Sequence, residues 1–168
     1  MKGVYTLVFI IPQEIRIKIG SLGTVRFETG IYAYIGSALG VGIASLKGRI
    51  KRHISKRKRI FWHIDYLLMH EEVQIIEVIY ARTNLKMECE ISGILESSPL
   101  VTTPIERFGA SDCESGCRSH LCHIKTNMEE ALRIIIRCYS RAGQEPERFR
   151  LNRYGTPKLK VSLMLRSL

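Results

Sequence analysis

Four β-rich stretches fill the first 36 residues, and glycine or proline separates each stretch from the next. Residues 3–11 are rich in Val, Ile, Tyr and Phe, a composition typical of a buried strand. Residues 14–19 and 24–28 alternate polar and apolar side chains around a glycine-bounded turn, which predicts a half-solvated hairpin. Residues 30–36 predict a further strand. The first 36 residues therefore predict a β-sheet, and helical patterns appear only later in the chain.

Helical periodicity begins only after the glycines at positions 40 and 42. Its apolar spacing predicts helices over residues 43–55, 63–70 and 85–95, and a β-rich run predicts a strand over 73–81. Asn127 is typical of a helix N-cap, with two glutamates in the following turn, and that helix is expected to end near Gly143. We expect one α/β domain over residues 1–125, followed by a C-terminal helix and basic tail over 126–168.

The composition excludes several classes of protein. The chain has 168 residues, of which 45% are hydrophobic, so it can bury a core without a metal or a disulfide. No apolar run reaches the roughly 20 residues of a membrane span. The early apolar run lacks a cleavage site, which favours a cytoplasmic protein, and the five cysteines are expected to be thiols or metal ligands there.

Positive charge is concentrated in one stretch. Lys and Arg total 26 against 16 acidic residues, and eight of the thirteen residues over 47–59 are basic. No acidic residue occurs between Glu28 and Asp65. Such clustering favours a polyanionic partner, with nucleic acid ahead of an anionic membrane surface, and solubility alone as the simpler explanation.

Two short motifs carry the most specific signal: Gly3-Val4-Tyr5 on the first strand and Tyr34-Ile35-Gly36-Ser37-Ala38 on the fourth. Arg49 and His53 follow on the next helix, four residues apart. This arrangement resembles the GIY-YIG nuclease superfamily, in which the two motifs lie on neighbouring strands. The triplet Gly30-Ile31-Tyr32 also spells GIY, but one strand cannot supply both members of a side-by-side pair.

Two later segments are similar to the Uri-type branch of that superfamily, much of which is classed only as a domain of unknown function. The first contains Trp62, His63, Asp65 and Tyr66, and the second runs from Phe108 through Asp112 to His120 and Leu121. The resemblance covers about residues 3–123. It implies a small, mainly antiparallel β-sheet flanked by helices, with an inserted hairpin and a C-terminal helical extension.

The resemblance also implies an activity, the metal-dependent hydrolysis of phosphodiester bonds in DNA or structured RNA. Tyr5 and Tyr34 would handle the attacking water and its proton, provided that nearby cations or metal lower their pKa. Arg49 would hold the phosphate and His53 would assist orientation. Glu88 would hold Mg²⁺ or Mn²⁺, with Glu90 in reserve.

Further residues are expected to contact the nucleic acid or to join the site. The expected phosphate-binding set is Ser37, Lys47, Lys51, Arg52, Lys56, Arg57, Lys58 and Arg59. An additional site could involve His63, Asp112 and His120. No membrane partner is expected, and the sequence leaves the oligomeric state open.

The segment from Cys113 to His123 has the residue types of a zinc site, but its spacing matches no standard zinc motif. A structural Zn²⁺ site, a Cys113–Cys117 disulfide and plain thiols all remain open, and thiols are favoured. The chain has no clear counterpart of the asparagine that the family places near the end of the domain. That difference favours an alternative, a non-catalytic nucleic-acid-binding module with the same fold, and a zinc-stabilised structural protein is a third hypothesis.

Overall fold

An antiparallel sheet of six strands organises the chain, and the computed structural model describes residues 1–151. The strands are β1 Gly3–Ile11, β2 Ile15–Ile19, β3 Gly23–Phe27, β4 Gly30–Ala38, β5 Gln74–Arg82, β6 Val101–Thr102, β7 Leu121–Ile124 and β8 Glu147–Arg150. The helices are α1 Leu46–Ile54, α2 His63–Met69, α3 Glu88–Glu96 and α4 Met128–Arg141. The sheet order is β6-β7-β4-β1-β5-β8, and β2 and β3 form a separate hairpin. The expected fold class, a mainly antiparallel sheet with flanking helices and an inserted hairpin, is confirmed.

The two motif strands, β1 and β4, are neighbours at the centre of this sheet. Their register pairs Tyr5 with Gly36 and Leu7 with Tyr34. Because side chains alternate along a strand, Tyr5 and Tyr34 share one face as diagonal neighbours. The interpretation of Gly3-Val4-Tyr5 as the partner of the second motif therefore agrees with the strand pairing.

Each face of the sheet buries its own apolar core. Tyr5, Leu7 and Phe9 point into the core that packs against the hairpin and helices α1 and α2. Val4 and Val8 point to the opposite face, which α3 and α4 cover. Because successive side chains of β1 point to opposite faces and both faces are covered, nearly every residue of this strand is buried.

Helix α4 follows the domain boundary expected at residue 125 and packs across the same sheet. Leu132 and Ile135 are buried there, and the Tyr139 hydroxyl lies 2.9 Å from the Thr6 hydroxyl on β1. Strand β8 then pairs with β5. The segment after residue 125 thus contributes to the same core, whereas residues 152–168 of the expected basic tail lie outside the described residues.

Two of the observed helices, α1 and α3, begin later than the periodicity suggests. Helix α1 begins at Leu46 because residues 42–44 form a 3-10 turn and the Ser45 hydroxyl accepts a hydrogen bond from the Gly48 N–H at 3.2 Å. Helix α3 begins at Glu88 instead of residue 85. Among residues 1–151, no helix is long and apolar enough to cross a membrane.

Candidate active site

Two glycines allow the paired tyrosines to pack tightly. A Cβ atom at Gly36 would lie 2.7 Å from the Tyr5 hydroxyl oxygen, so the Tyr5 ring crosses β4 where no side chain intervenes. A Cβ atom at Gly109 would lie 2.7 Å from the Tyr34 ring, and Gly109 has a φ of 68°. Tyr5 is 2% exposed and Tyr34 is 8% exposed. Both tyrosines are therefore buried, and Tyr34 is the more exposed of the two.

The Tyr5 hydroxyl is hydrogen-bonded to His53 on helix α1. The hydroxyl oxygen lies 2.8 Å from Nε2, and His53 is almost completely buried. Burial, with a further contribution from the Lys58 ammonium, lowers the pKa of His53 to about 3, so the imidazole is neutral at pH 7. Asp65 Oδ1 lies 4.0 Å from Nδ1, which favours the tautomer that is protonated there and leaves Nε2 as the acceptor for Tyr5.

The pKa values of both tyrosines shift in the direction opposite to the one expected from the sequence. Burial raises the pKa of Tyr5 and Tyr34 well above the ordinary value, and Arg49 lowers both without overcoming that effect. The expected role as proton acceptors requires a lowered tyrosine pKa, whereas burial shifts the pKa of both tyrosines upwards. Both phenols stay protonated at neutral pH, and Tyr5 is poised to donate a proton to His53.

Arg49 presents an unpaired guanidinium group at this site. Its Cζ lies 4.2 Å from the centre of the Trp62 ring, where a cation–π contact holds it. Within residues 1–151 the guanidinium has no ion pair or hydrogen bond, and its Nε is buried without a partner. Arg52 also rests on Trp62, at 4.7 Å, but its charge is neutralised by Asp65 at 2.6 Å. Of the two arginines that contact Trp62, only Arg49 therefore keeps its charge available to an anionic ligand.

Asp65 anchors the elements around this group. Its Oδ2 accepts hydrogen bonds from the N–H groups of Phe61 and Trp62 at 2.9 and 3.0 Å. Burial alone would raise the pKa of Asp65, but these N–H groups together with the cations of Lys58 and Arg52 hold the pKa below its usual value. The charged carboxylate thus holds the backbone of Trp62, whose indole ring supports Arg49.

Glu88 reaches the same end of the sheet from the first turn of helix α3. Strand β7 pairs with β4 only as far as Tyr34, which leaves the later residues of β4 with an edge that β7 does not cover. The Glu88 carboxylate accepts a hydrogen bond from Ser37 at that edge, and Lys86 lies 3.8 Å away. Glu88 is 6% exposed, whereas Glu90 faces solvent. The nearby carboxylate contributes to the raised pKa of both Tyr5 and Tyr34.

The basic stretch divides into structural and free cations. Lys58 Nζ donates to the His53 carbonyl at 2.9 Å, and Lys56 Nζ donates to the Leu68 carbonyl at 2.7 Å. These ammonium groups stabilise the C-terminal ends of α1 and α2, so they already have partners within the protein, and their expected contact with phosphate stays a prediction. Arg52 and Ser37 are likewise engaged, with Asp65 and Glu88. Within residues 1–151 the side chains of four members of the expected set have no ion pair: Lys47, Lys51, Arg57 and Arg59.

The expected additional residues lie near Tyr34. His63 Nδ1 accepts a hydrogen bond from the Gly109 N–H at 3.4 Å. Asp112 is exposed and contributes to the raised pKa of Tyr34. His120 is buried immediately before β7, where its carbonyl accepts a hydrogen bond from the Ile35 N–H next to Tyr34, and its Nε2 lies 3.8 Å from Cys89 Sγ.

A cluster of three cysteines and one histidine adjoins the site. One ligand atom each from Cys89, Cys113, Cys117 and His120 lies within 4.8 Å of the other three, so the cluster could hold a metal ion. Sequence spacing did not identify Cys89, because it lies 24 residues before Cys113 on another element. Cys122 and His123, which the sequence grouped with this segment, lie elsewhere: Cys122 is buried in the core and His123 stacks on Tyr32.

Comparison with known proteins gives one match that decides the family. The model of the family described as Domain of unknown function DUF123 matches residues 4–143. The chain belongs to that family. No curated protein and no solved structure matches the chain significantly.

The DUF123 match places the candidate site within the family region. That region runs from β1 past the end of α4, and it includes the tyrosine pair, Arg49, Glu88 and the Cys–His cluster. Strand β8 lies beyond the matched residues. Helix α4, in contrast, is part of the DUF123 region as well as of the folded core.

Proposed function

We propose that this DUF123 protein is a metal-dependent endonuclease of the GIY-YIG type, of the Uri-type branch, that hydrolyses phosphodiester bonds in DNA. The observation that carries the proposal is the unpaired Arg49 guanidinium beside two tyrosines, one of which is hydrogen-bonded to a neutral histidine. A planar guanidinium without a carboxylate partner is suited to a phosphate group.

Tyr5 and His53 form a proton relay in this proposal. An attacking water gives a proton to the Tyr5 oxygen while the Tyr5 phenolic proton passes to His53 Nε2, so no free phenolate is required. This route requires a protonated phenol and a neutral imidazole, which the raised pKa of Tyr5 and the lowered pKa of His53 provide, although the lowered pKa also makes His53 a weak base. Asp65 stabilises the imidazolium that results, because its carboxylate faces the other ring nitrogen.

Tyr34 and Arg49 position the phosphate. Tyr34 is 8% exposed and its hydroxyl remains protonated, so it can donate a hydrogen bond to a phosphate oxygen. Arg49 neutralises charge that develops on the phosphorus substituents in the transition state. The indole of Trp62 limits the movement of the guanidinium, which reduces the entropy lost on binding.

Glu88 is the residue that would hold Mg²⁺ or Mn²⁺. Its buried carboxylate fits a hard cation, because oxygen is the preferred donor and the Ser37 hydroxyl fixes the carboxylate orientation. A bound divalent ion would supply an acidified water and charge neutralisation at the phosphate. Water and phosphate oxygens would complete the coordination, as is usual for Mg²⁺.

The nucleic acid would approach along the exposed side of helix α1 and the segment that follows it. Lys51, Arg57 and Arg59 are exposed there, and Phe61 is 76% exposed beside Trp62. Cations next to an exposed aromatic ring suit a phosphate backbone with an unpaired base stacked on the ring.

A cleavage assay with matched variants tests the proposal. Supercoiled plasmid, flap and branched DNA are incubated with the purified protein and Mg²⁺ or Mn²⁺. We expect cleavage by the wild type, a loss of at least about 10²-fold for Arg49→Ala, and no change for Arg133→Ala on the opposite side of the sheet. Absence of cleavage on every substrate, with DNA binding intact, would favour the non-catalytic nucleic-acid-binding module.

A further inference from the structure

The four side chains of the Cys–His cluster come from separate parts of the chain. Cys89 lies in the first turn of α3, Cys113 and Cys117 flank a turn in the segment between β6 and β7, and His120 precedes β7. That turn contains Gly116 with a φ of 71°, which lets the chain reverse between the two cysteines. Convergence of helix α3 with the segment before β7 makes this arrangement more specific than a local sequence motif.

Two of the distances between donor atoms are close to those of tetrahedral coordination, and every pair of donor atoms lies within 4.8 Å. Zinc–sulfur bonds of about 2.3 Å and zinc–nitrogen bonds of about 2.0 Å place donors roughly 3.5–3.8 Å apart. Cys89 Sγ lies 3.4 Å from Cys113 Sγ and 3.8 Å from His120 Nε2. Three thiols and one imidazole are soft and borderline donors that select zinc over magnesium.

The position of His120 is fixed by the backbone on both sides. Its N–H donates to the Phe108 carbonyl at 2.9 Å, and its carbonyl accepts from the Ile35 N–H of β4 at 3.0 Å. The imidazole therefore enters the cluster from a rigid edge of the sheet. Zinc ligands on such supports lose little entropy when the metal binds.

We propose that Cys89, Cys113, Cys117 and His120 bind one structural Zn²⁺ ion. Four protein ligands close the coordination shell, which is the property that distinguishes structural from catalytic zinc sites. The ion ties residues 103–120, which form neither helix nor strand, to helix α3 and to the sheet. Long segments of this kind inside a compact domain need such an anchor.

The zinc site has a direct consequence for its neighbours. Cys89 is adjacent to Glu88, and Cys113 is adjacent to Asp112. One ion therefore fixes two acidic residues beside the tyrosine pair. The assignment of zinc rests on the four donors alone and stands whether or not the protein cleaves DNA.

A disulfide is the main competing arrangement. A Cys89–Cys113 disulfide would use two of the four donors and leave Cys117 and His120 without a role. The cluster also keeps all three cysteines as free thiols, and the two sulfur atoms are in ordinary contact. A single zinc ion accounts for all four side chains.

Metal analysis and cobalt substitution of the full chain test the proposal. Protein purified without chelator is expected to contain one zinc per chain by elemental analysis. After replacement by Co²⁺, the protein should show the visible absorption of tetrahedral cobalt and a sulfur-to-cobalt charge-transfer band. Cys89→Ser should weaken zinc binding by more than roughly 100-fold, the upper end of what changes behind the ligands cause.

Two further variants control for loss of folding. Cys138→Ala alters a buried cysteine on helix α4 and should leave the zinc content unchanged. His120→Cys replaces one zinc ligand by another and should retain the metal with a stronger charge-transfer band. The proposal is overturned if the wild type binds neither zinc nor cobalt, if non-reducing mass analysis finds a Cys89–Cys113 disulfide, or if Cys89→Ser gives the wild-type cobalt spectrum.

Discussion

At the scale of residues, two arginines on one helix illustrate how position decides the use of a charge. Arg49 and Arg52 both rest on the Trp62 ring, yet only Arg52 has a carboxylate partner. Asp65 cannot serve both, because its oxygens are already used by the start of α2 and by Lys58. The unpaired charge is therefore a consequence of the local geometry, and it is the main reason for assigning an anionic ligand to this site.

The buried His53 predicts that acid destabilises the fold. Its pKa is about 3 in the folded protein, against about 6.5 in the unfolded chain. Between these values the unfolded chain binds more protons, so the stabilisation is fully present above about pH 6.5 and is lost as the pH falls towards 3. From pH 7 to pH 5 this group alone should remove about 2 kcal/mol from the free energy of unfolding.

Urea denaturation at pH 7, 6 and 5 measures this effect. His53→Gln keeps a hydrogen-bonding side chain beside Tyr5 but cannot titrate, so its stability should fall less steeply with acid. Equal slopes for the wild type and His53→Gln would show that His53 is not the neutral, buried group described here.

At the scale of elements, Gly36 determines how closely strand β4 and the Tyr5 ring approach. A methyl group at this position would lie 2.7 Å from the Tyr5 hydroxyl oxygen, so the ring or the strand must move. We expect Gly36→Ala to cost about 1–3 kcal/mol in the free energy of unfolding, as overpacking of a core does. The displaced hydroxyl should also lose its hydrogen bond to His53.

Gly93 provides the matched control for that substitution. It lies within helix α3 with no atom near its Cβ position, so Gly93→Ala should stabilise the protein by up to about 1 kcal/mol. Thermal or chemical denaturation of both variants gives the comparison. A neutral Gly36→Ala would show that the tyrosine does not require the open space above β4.

The basic residues of helix α1 and of the segment that follows it are expected to give two different kinds of variant. Lys51→Ala and Arg57→Ala remove exposed charges, so each should lower the slope of log affinity against log salt by about 0.9 and leave stability unchanged. Lys58→Ala removes a buried ammonium that contacts the His53 carbonyl and Asp65. It should instead cost about 1–3 kcal/mol of stability.

DNA-binding titrations at several salt concentrations and denaturation curves on the same variants separate these effects. If Lys58→Ala weakened DNA binding without loss of stability, its ammonium would belong to the binding surface after all. The sequence cannot make this distinction, because burial of a lysine depends on Asp65 and on two helix ends that meet only in the folded chain.

At the scale of the whole molecule, local patterns predicted the central elements and missed those that depend on distant contacts. Alternation and glycine spacing were enough for β1, the hairpin and β4. Strands β7 and β8 have four residues each, too few for a clear period, and they form because β4 and β5 offer edges. Likewise, Cys89 joins the Cys–His cluster only because α3 packs beside the segment that carries Cys113.

The candidate site was predictable to a similar degree. The motif residues Tyr5 and Tyr34 could be selected from the sequence because strand alternation fixes their shared face. The partners that give the site its character could not: the neutral state of His53 depends on burial, and the unpaired state of Arg49 depends on how Asp65 is occupied.

The central claim is that the site around Tyr5, Tyr34 and Arg49 cleaves DNA with a metal held by Glu88, and one comparison tests it most directly. Plasmid cleavage in Mg²⁺ is measured for the wild type, Glu88→Gln and Glu90→Gln, together with DNA affinity. Glu88→Gln keeps the shape of the buried side chain but removes its charge, so cleavage should be abolished while DNA binding is unchanged or slightly tighter. Glu90→Gln, on the exposed side of the same turn, should cut at the wild-type rate. Wild-type cleavage by Glu88→Gln would contradict the account.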